Sequence, residues 1–503
     1  MTNTLIVLAI ISIFELAIWL SPIWNHWRKA AACVVIVALS IASGWLVGFY
    51  GSGWTWLILI GSVYRMINLL RLVEDRAPLE HMARVTSHTS LQLISAQGIV
   101  LLLYAASQHH LILGSTWFAI FGIFDVVMAS LLLVGMFSHL RETRSAPLPK
   151  KRLSDQDLPT VSVAIPARNE TDSLEACLES LIASEYPKLE ILVLDDCSQN
   201  KRTPQIIKDF AQAGVRFIAG KVPPNHWLAK NYAYEQLAEE ASGEILLFCG
   251  VDTRFQPDSI ATMVQCMLTG KNSMLSILPQ NTLPKGYFLE TAIIHPARYA
   301  WELALPRGWL RRPPVLSTCW LIRSKLLHDS GGFKAVTNTS SVESYFARAT
   351  SGSKNGYRFL RSGQFLGLTS HKSIAAQRST AIRTRYPQTH RRPEIVMALS
   401  LLEIGVLTLP YVLIVIGLTQ HEWLPIIYGA ISVVLLSIFY TITVEATYQR
   451  FLWRSVWILP FATLYDVALL NTSMWRYEFG EVIWKDRNVC IPFMQYGDEG
   501  HQS

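Results

Sequence analysis

Apolar and polar positions divide the chain into regions of different period. Five apolar stretches come first, at residues 5–20, 31–49, 54–72, 91–106 and 117–137, each close to the roughly 20 residues a helix needs to cross a bilayer. The fourth has the weakest pattern. A polar middle follows from residue 158 to 386, then apolar stretches at 395–418 and 424–444, and a less uniform one at 456–470 that contains Pro460 and Asp466. Within the middle the period changes: short β-rich runs at 161–165, 191–194 and 245–248 alternate with helical segments. One helical segment has Asp172 and Glu175 in capping-box spacing, with Leu174, Cys177, Leu178, Leu181 and Ile182 on one face. Another is marked by Ile206, Ile207 and Phe210. Such alternation predicts a mostly parallel, doubly wound sheet whose ligands bind at the carboxyl ends of the strands.

Charge sets the orientation. Arg28 and Lys29, then Arg65, Arg71, Arg76 and Arg84, then Arg141, Arg144, Lys150, Lys151 and Arg152 fall in alternate connections, whereas those near Gly51 and His109 carry no Lys or Arg. The positive-inside bias therefore places the amino terminus outside and the polar middle in the cytosol of a multi-pass cell-membrane protein. A third crossing at 456–470 would put Arg476, Lys485 and Arg487 outside, against that bias, so two crossings followed by an interfacial or re-entrant segment are expected. A cleavable signal peptide does not fit a first segment without a basic start or a small-residue cleavage site.

Composition agrees: of 503 residues 51% are hydrophobic and 16% charged, below the roughly 25% charge of soluble domains. The net charge of +7 gathers beside apolar segments and not in a basic stripe interleaved with aromatics, which argues against nucleic acid as a partner. Seven cysteines without a CxxC pair suit a reduced, cytosol-facing domain with no cysteine metal site.

The candidate chemistry lies at the expected strand ends. Pro166-Ala167-Arg168-Asn169-Glu170 follows the first run, Asp195-Asp196-x-Ser198 the second, and Val251-Asp252-Thr253 the third. An isolated Asp-Asp pair reads more readily as a solvated turn, and it is the surrounding segments that point to a site. Further segments are Pro223-Pro224-x-x-Trp227-x-Ala229-Lys230, Gly331-Gly332-Phe333 followed by Glu343, and Arg383-x-Arg385-Tyr386 just before the membrane. In this order and spacing they resemble glycosyltransferase family 2.

That resemblance implies an α/β GT-A-type nucleotide-binding domain inserted between two groups of transmembrane α-helices. The regions are 1–140 (membrane helices), 141–390 (cytosolic transferase domain), 391–475 (membrane or interfacial helices) and 476–503 (tail). It implies that Pro166, Glu170 and Asp195 or Asp196 contact the nucleoside of a nucleotide sugar, a UDP-sugar by analogy. Lys230 would approach the diphosphate, Asp252 would bind magnesium or manganese, and Arg383, Arg385 and Tyr386 would serve diphosphate and acceptor. The plainer readings are a solvated helix lysine for Lys230 and an interfacial basic-aromatic belt for 383–386.

Three positions depart from the family pattern. Gly250 stands where the metal motif has its first acid, Ser344 where the acidic pair has its aspartate, and Ile382 where a glutamine is usual. Asp252 is then the single metal-motif acid, and Glu343 is either the general base or a structural carboxylate. The expected reaction is inverting sugar transfer to a membrane-associated acceptor, a lipid first. A processive polysaccharide synthase acting on a growing glycan and a catalytically inactive nucleotide-sugar-binding or scaffold protein are the alternatives. The tail run Trp484-Lys485-Asp486-Arg487 resembles the Trp-Lys-Gly-Arg tail of lipid-directed members and suits the headgroup layer. Glu15, Asp125, Glu403 and Asp466 lie inside apolar spans, where acids face a bundle interior or cavity.

Overall fold

The computed structural model describes residues 13, 36–37, 115–143, 155–224, 226–282, 313–339, 341–351, 356–363, 366–389, 391, 393–448, 455–478 and 482–490. The apolar stretches at 54–72 and 91–106, most of those at 5–20 and 31–49, and Glu15 lie outside them.

The polar middle folds around a seven-stranded sheet of order β3-β2-β1-β4-β8-β6-β9. Its strands are β1 (Val161–Ala167), β2 (Leu189–Asp195), β3 (Val215–Ala219), β4 (Ile245–Cys249), β6 (Met274–Leu278), β8 (Cys319–Arg323) and β9 (Tyr357–Arg361). A three-stranded ribbon is made by β5 (Thr253–Arg254), β10 (Thr369–Ser370) and β7 (Gln280–Asn281), and β11 (Ile483–Trp484) pairs with β12 (Arg487–Asn488).

β1 runs parallel to β2 and β4, β2 to β3, and β6 to β9. Strand β8 runs antiparallel to both β4 and β6, so the sheet is mixed. The doubly wound half is thus β1–β4. Parallel strands covered on both faces read as continuous apolar runs, and β4 is buried throughout. Alternate residues feed two cores: Val161, Val163, Ile245 and Leu247 pack on one face, Ala164, Leu246 and Phe248 on the other. The second core is aromatic, with Phe248 stacked on Trp320 at 4.4 Å and Phe333 edge-on to Phe248 at 5.4 Å.

The helices of this domain are α2 (Asp172–Ile182), α3 (Arg202–Asp209), α4 (Ala229–Glu240), α5 (Ser259–Thr269), α6 (Ser324–Asp329), α7 (Val342–Ser351) and α8 (Ile374–Gln388). Leu174, Cys177, Leu178 and Leu181 of α2 are buried as expected, whereas Ile182 is 36% exposed at the helix end. Asp172 is the first helical residue and Thr171 makes no side-chain cap, so the capping-box expectation fails.

Outside the domain stand α1 (Ser115–Glu142), α9 (Pro393–Leu407), α10 (Leu409–Gln420), α11 (Trp423–Tyr448) and α12 (Ser455–Glu478). Among the described residues Ala119–Ser138 and Trp423–Tyr448 are long and apolar enough to cross a membrane. The expected stretch at 395–418 is two helices bent by 48°, because Pro410 at the start of α10 lacks the N–H that would continue the ladder. The segment at 456–470 belongs to a longer helix that continues through Pro460 to Glu478. α1 and α11 share a core of Ala129, Leu132, Met136, Leu436, Phe439 and Tyr440, which reaches Leu278 and Phe359 of the domain. Their outer faces, including Phe124, Leu131, Ile427 and Val434, are exposed and apolar.

Candidate functional site

The sheet brings the ends of β1, β2 and β4 together, and with them Pro166, Asp195 and the turn holding Asp252. Asn169 organises this edge. Its amide N–H donates to Ser198 Oγ at 2.9 Å, and its Oδ1 accepts from the amides of Gln199 and Asn200 at 2.9 and 3.1 Å. The turns after β1 and β2 are thus tied to each other. Arg168, buried beneath them, donates through Nη1 to the carbonyls of Asp196 (2.6 Å) and Cys197 (2.7 Å).

The two acids after β2 are not equivalent. Asp195 is half-buried and its Oδ1 accepts from the Ser198 amide at 3.2 Å, closing a small turn. Asp196 is buried and its carboxylate lies 2.9 and 3.1 Å from Arg487 Nη1. Burial raises the Asp196 carboxyl above its ordinary range, and the Arg487 and Arg168 guanidiniums pull it back only in part.

Glu170 sits 3.0 Å from Lys485 Nζ. Burial raises its carboxyl, Lys485 opposes that, and the charges of Asp252 and Lys372 reach it too. The pairing of β10 with β5 carries Lys372 here: His371 N donates to Asp252 O at 2.9 Å, which leaves Lys372 Nζ 3.8 Å from Asp252 Oδ2. Glu170, Asp252, Lys372 and Lys485 therefore form one patch of alternating charge.

On the neighbouring rim, Lys230 opens α4 with its ammonium 5.1 Å from the Tyr234 ring centroid. Buried Asn231 donates through Nδ2 to the carbonyls of Val336, Thr337 and Thr339 at 2.8–3.0 Å. This fixes the loop that leads into α7, whose first turn carries Glu343. Glu343 is 4% exposed; burial first, and the nearby Glu343 charge second, raise the Tyr234 phenol, and Glu343 Oε2 has no hydrogen-bond partner among the described residues.

The 383–386 segment divides: Arg383 meets the tail beside Lys485, whereas Arg385 and Tyr386 are not gathered with these groups. Arg383 lies over the Trp484 ring at 4.9 Å. Arg385 turns the other way, pairing with Asp466 and lying 3.7 Å from Glu403 Oε1. Tyr386 is fully buried and donates to Arg391 O at 2.9 Å, so its ring offers no face to an acceptor sugar. Two of the acids noted in apolar spans thus serve Arg385. Opposite charges separated by many residues gave no local sign of that partnership.

The tail was missed as a site element. Its aromatic-basic composition suggested the headgroup layer, yet the β11–β12 hairpin folds onto the ends of β1 and β2. Besides the Lys485 and Arg487 pairs, Arg168 Nε donates to Lys485 O at 2.9 Å and Asn169 Nδ2 to Asp486 Oδ2 at 3.0 Å. Seven non-glycine residues have positive φ among those described, and four of them, Asn169, Cys197, Lys485 and Asp486, meet here. Left-handed backbone costs roughly 1–2 kcal/mol per non-glycine residue, least for Asn and Asp, and such strain gathers at functional sites.

Among the described residues no group of three or more His, Cys, Asp or Glu side chains is arranged to hold a metal ion. Asp252 supplies one carboxylate. Magnesium-type ions are commonly held by one or two carboxylates together with substrate phosphates and water, so the residue fits an ion shared with a bound diphosphate, while Lys372 supplies fixed positive charge beside it.

Residues 162–331 match the family described as Glycosyl transferase family 2. The chain is similar to the probable glycosyltransferase YdaM of Bacillus subtilis (strain 168), 25% identical over 209 residues that make up 40% of this chain and 49% of that protein. It is similar also to the 4,4'-diaponeurosporenoate glycosyltransferase of Staphylococcus haemolyticus (strain JCSC1435), 29% identical over 27% of this chain and 36% of that one. Among solved structures it is similar to the mannosyltransferase PcManGT from Pyrobaculum calidifontis in complex with GDP-Man and Mn2+. That match has a TM-score of 0.40 and 16% identity and covers 70% of this chain and 98% of the other. The chain spans about half or less of the length of these curated relatives.

Proposed function

We infer, for a chain that carries a glycosyl transferase family 2 domain over residues 162–331, that it is an inverting glycosyltransferase moving a sugar from a nucleotide-diphosphate sugar to a membrane-associated acceptor. The observation that carries this reading is the convergence of Glu170, Asp195 and Asp252 at the ends of adjacent strands, with lysines 3.0–3.8 Å from two of them. Acids suit base and ribose, and cations offset charge building on a leaving diphosphate.

In this reading the nucleoside lies on Pro166, Glu170 and Asp195, while Asp196, held by Arg487, positions the turn and does not touch the ligand. Lys230 and Lys372 flank the diphosphate. Asp252 would hold a magnesium or manganese ion, which supplies positive charge against the departing diphosphate. Glu343 takes the proton of the acceptor hydroxyl as that oxygen attacks the anomeric carbon from the face opposite the leaving group. Its Oε2 supports the role, since a buried carboxylate oxygen without a partner is costly until a donor arrives. The apolar faces of α1 and α11 support a membrane setting, the Lys and Arg residues of the connections favour a cytosolic domain, and a lipid is then the first choice of acceptor.

A catalytically inactive nucleotide-sugar binder is the second reading, favoured by Gly250 and Ser344 at positions where the family has acids. Nucleoside diphosphate release by the purified full-length protein, measured on a panel of nucleotide sugars with and without manganese and with lipid acceptors, separates the two. Binding without release under all conditions would overturn the transferase reading. Long polymer in place of a single-sugar lipid would transfer the reading to a processive synthase.

A further inference from the structure

The hairpin of the tail makes more contacts with the site than an anchored end requires. Arg487 pairs with Asp196 at 2.9 Å, and Lys485 reaches Glu170 at 3.0 Å and the Asn169 carbonyl at 3.3 Å. Two-residue hairpin turns with both central residues at positive φ strongly favour Asn-Gly or Gly-Gly. Here Lys485 (φ 49°) and Asp486 (φ 63°) occupy those positions. A tail that merely had to turn would be better served by glycine, so the side chains at the tip are what the strained backbone preserves. Lys485 is a compact, flexible point charge suited to a phosphate. It stands 3.0 Å from Glu170 after β1, and the neighbouring strand β4 leads to Asp252, which lies 3.8 Å from Lys372.

We propose that Lys485 is a donor-binding residue whose ammonium, delivered by the C-terminal hairpin, contacts the diphosphate of the nucleotide sugar, with Arg487 as the positioning residue that anchors the hairpin to Asp196. The proposal rests on the donor site described under Proposed function and adds to it a wall drawn from more than 300 residues further along the chain.

Calorimetric titration of the full-length protein in detergent tests it, using UDP and GDP and, for comparison, uridine and guanosine. A charge-assisted hydrogen bond lost from a binding site lowers affinity about 10- to 100-fold. Lys485→Met and Lys485→Gly should weaken the bound nucleoside diphosphate by that factor and change the matching nucleoside by less than about threefold, with Lys485→Arg retaining most of the affinity. Lys485→Gly relieves the left-handed backbone, so its melting temperature should not fall, and lost affinity cannot then be ascribed to an unfolded hairpin. Unchanged diphosphate affinity in both variants overturns the proposal, as does an equal loss for nucleoside and diphosphate, which would make the hairpin a shaping element only. Failure of the wild-type protein to bind either diphosphate would overturn the donor reading itself, and this inference with it.

Discussion

Replacing Arg385 by methionine should destabilise the protein far more than an interfacial arginine would suggest. Arg385 of α8 joins Asp466 of α12 and Glu403 of α9, and the side chains of the three residues are 11%, 5% and 4% exposed. Methionine fills similar volume but leaves two carboxylates in an apolar setting without their cation. Breaking a buried pair in this way costs about 3–5 kcal/mol, most of it the penalty on the stranded charge. For a folded unit of about 150–250 residues that corresponds to on the order of 10 °C in melting temperature. The triple variant Arg385→Met, Glu403→Met, Asp466→Leu removes the charges together and should recover most of the loss, since well-packed apolar replacements of an ion cluster are often neutral. Thermal unfolding of the three proteins in one detergent, followed by circular dichroism, gives the comparison. A drop below about 1 kcal/mol for the single variant, or a triple variant as unstable as the single one, would refute this account and return Arg385 to the pool of candidate diphosphate ligands.

Glu343→Gln should abolish sugar transfer while leaving donor affinity within about threefold, the signature of a lost general base; retained turnover would reduce Glu343 to a structural role. Gly250→Asp should fold normally, because a Cβ there meets no atom within 4 Å, and should lower the manganese concentration needed for half-maximal transfer by supplying a second carboxylate. Asn231→Ala should cost about 2–3 kcal/mol in denaturant unfolding, since carbonyls of the 336–339 loop lose their donor. Asp196→Asn should gain stability relative to wild type as pH rises above the ordinary carboxylate range. Burial lifts the folded Asp196 carboxyl above its unfolded value, so the wild-type folded state holds the extra proton in that window and loses stability as it leaves. The opposite slope would mean that Arg487 outweighs burial.

The strands β1, β2 and β4 and the acids at their ends were legible because buried parallel strands advertise themselves as apolar runs, and their ligands sit at a predictable end. Antiparallel β8 was not legible as such, since its apolar run carries no sign of direction. Lys372 and Lys485 escaped for a different reason. Each is placed by pairing with a distant partner, β10 on β5 and the hairpin on the turns after β1 and β2, and a lone lysine carries no periodicity. The reading of 383–386 as ligand-facing went astray at Arg385 and Tyr386 because side-chain direction depends on which neighbours pack on α8. Glu403 and Asp466, treated as separate oddities of apolar spans, were those neighbours.

The contact between Arg168 and Lys485 also sets an order of events during synthesis. The sequence separation of 317 positions takes roughly 15–60 s to translate at about 5–20 residues per second. The β1–β2 edge thus waits, with Asp196 lacking Arg487 and Glu170 lacking Lys485, until the helices after the domain have been made and the hairpin can return. A nascent chain stalled after β10 and before Lys485 would have every strand of the sheet made and an unfinished rim, which ties completion of that rim to completion of the surrounding helices.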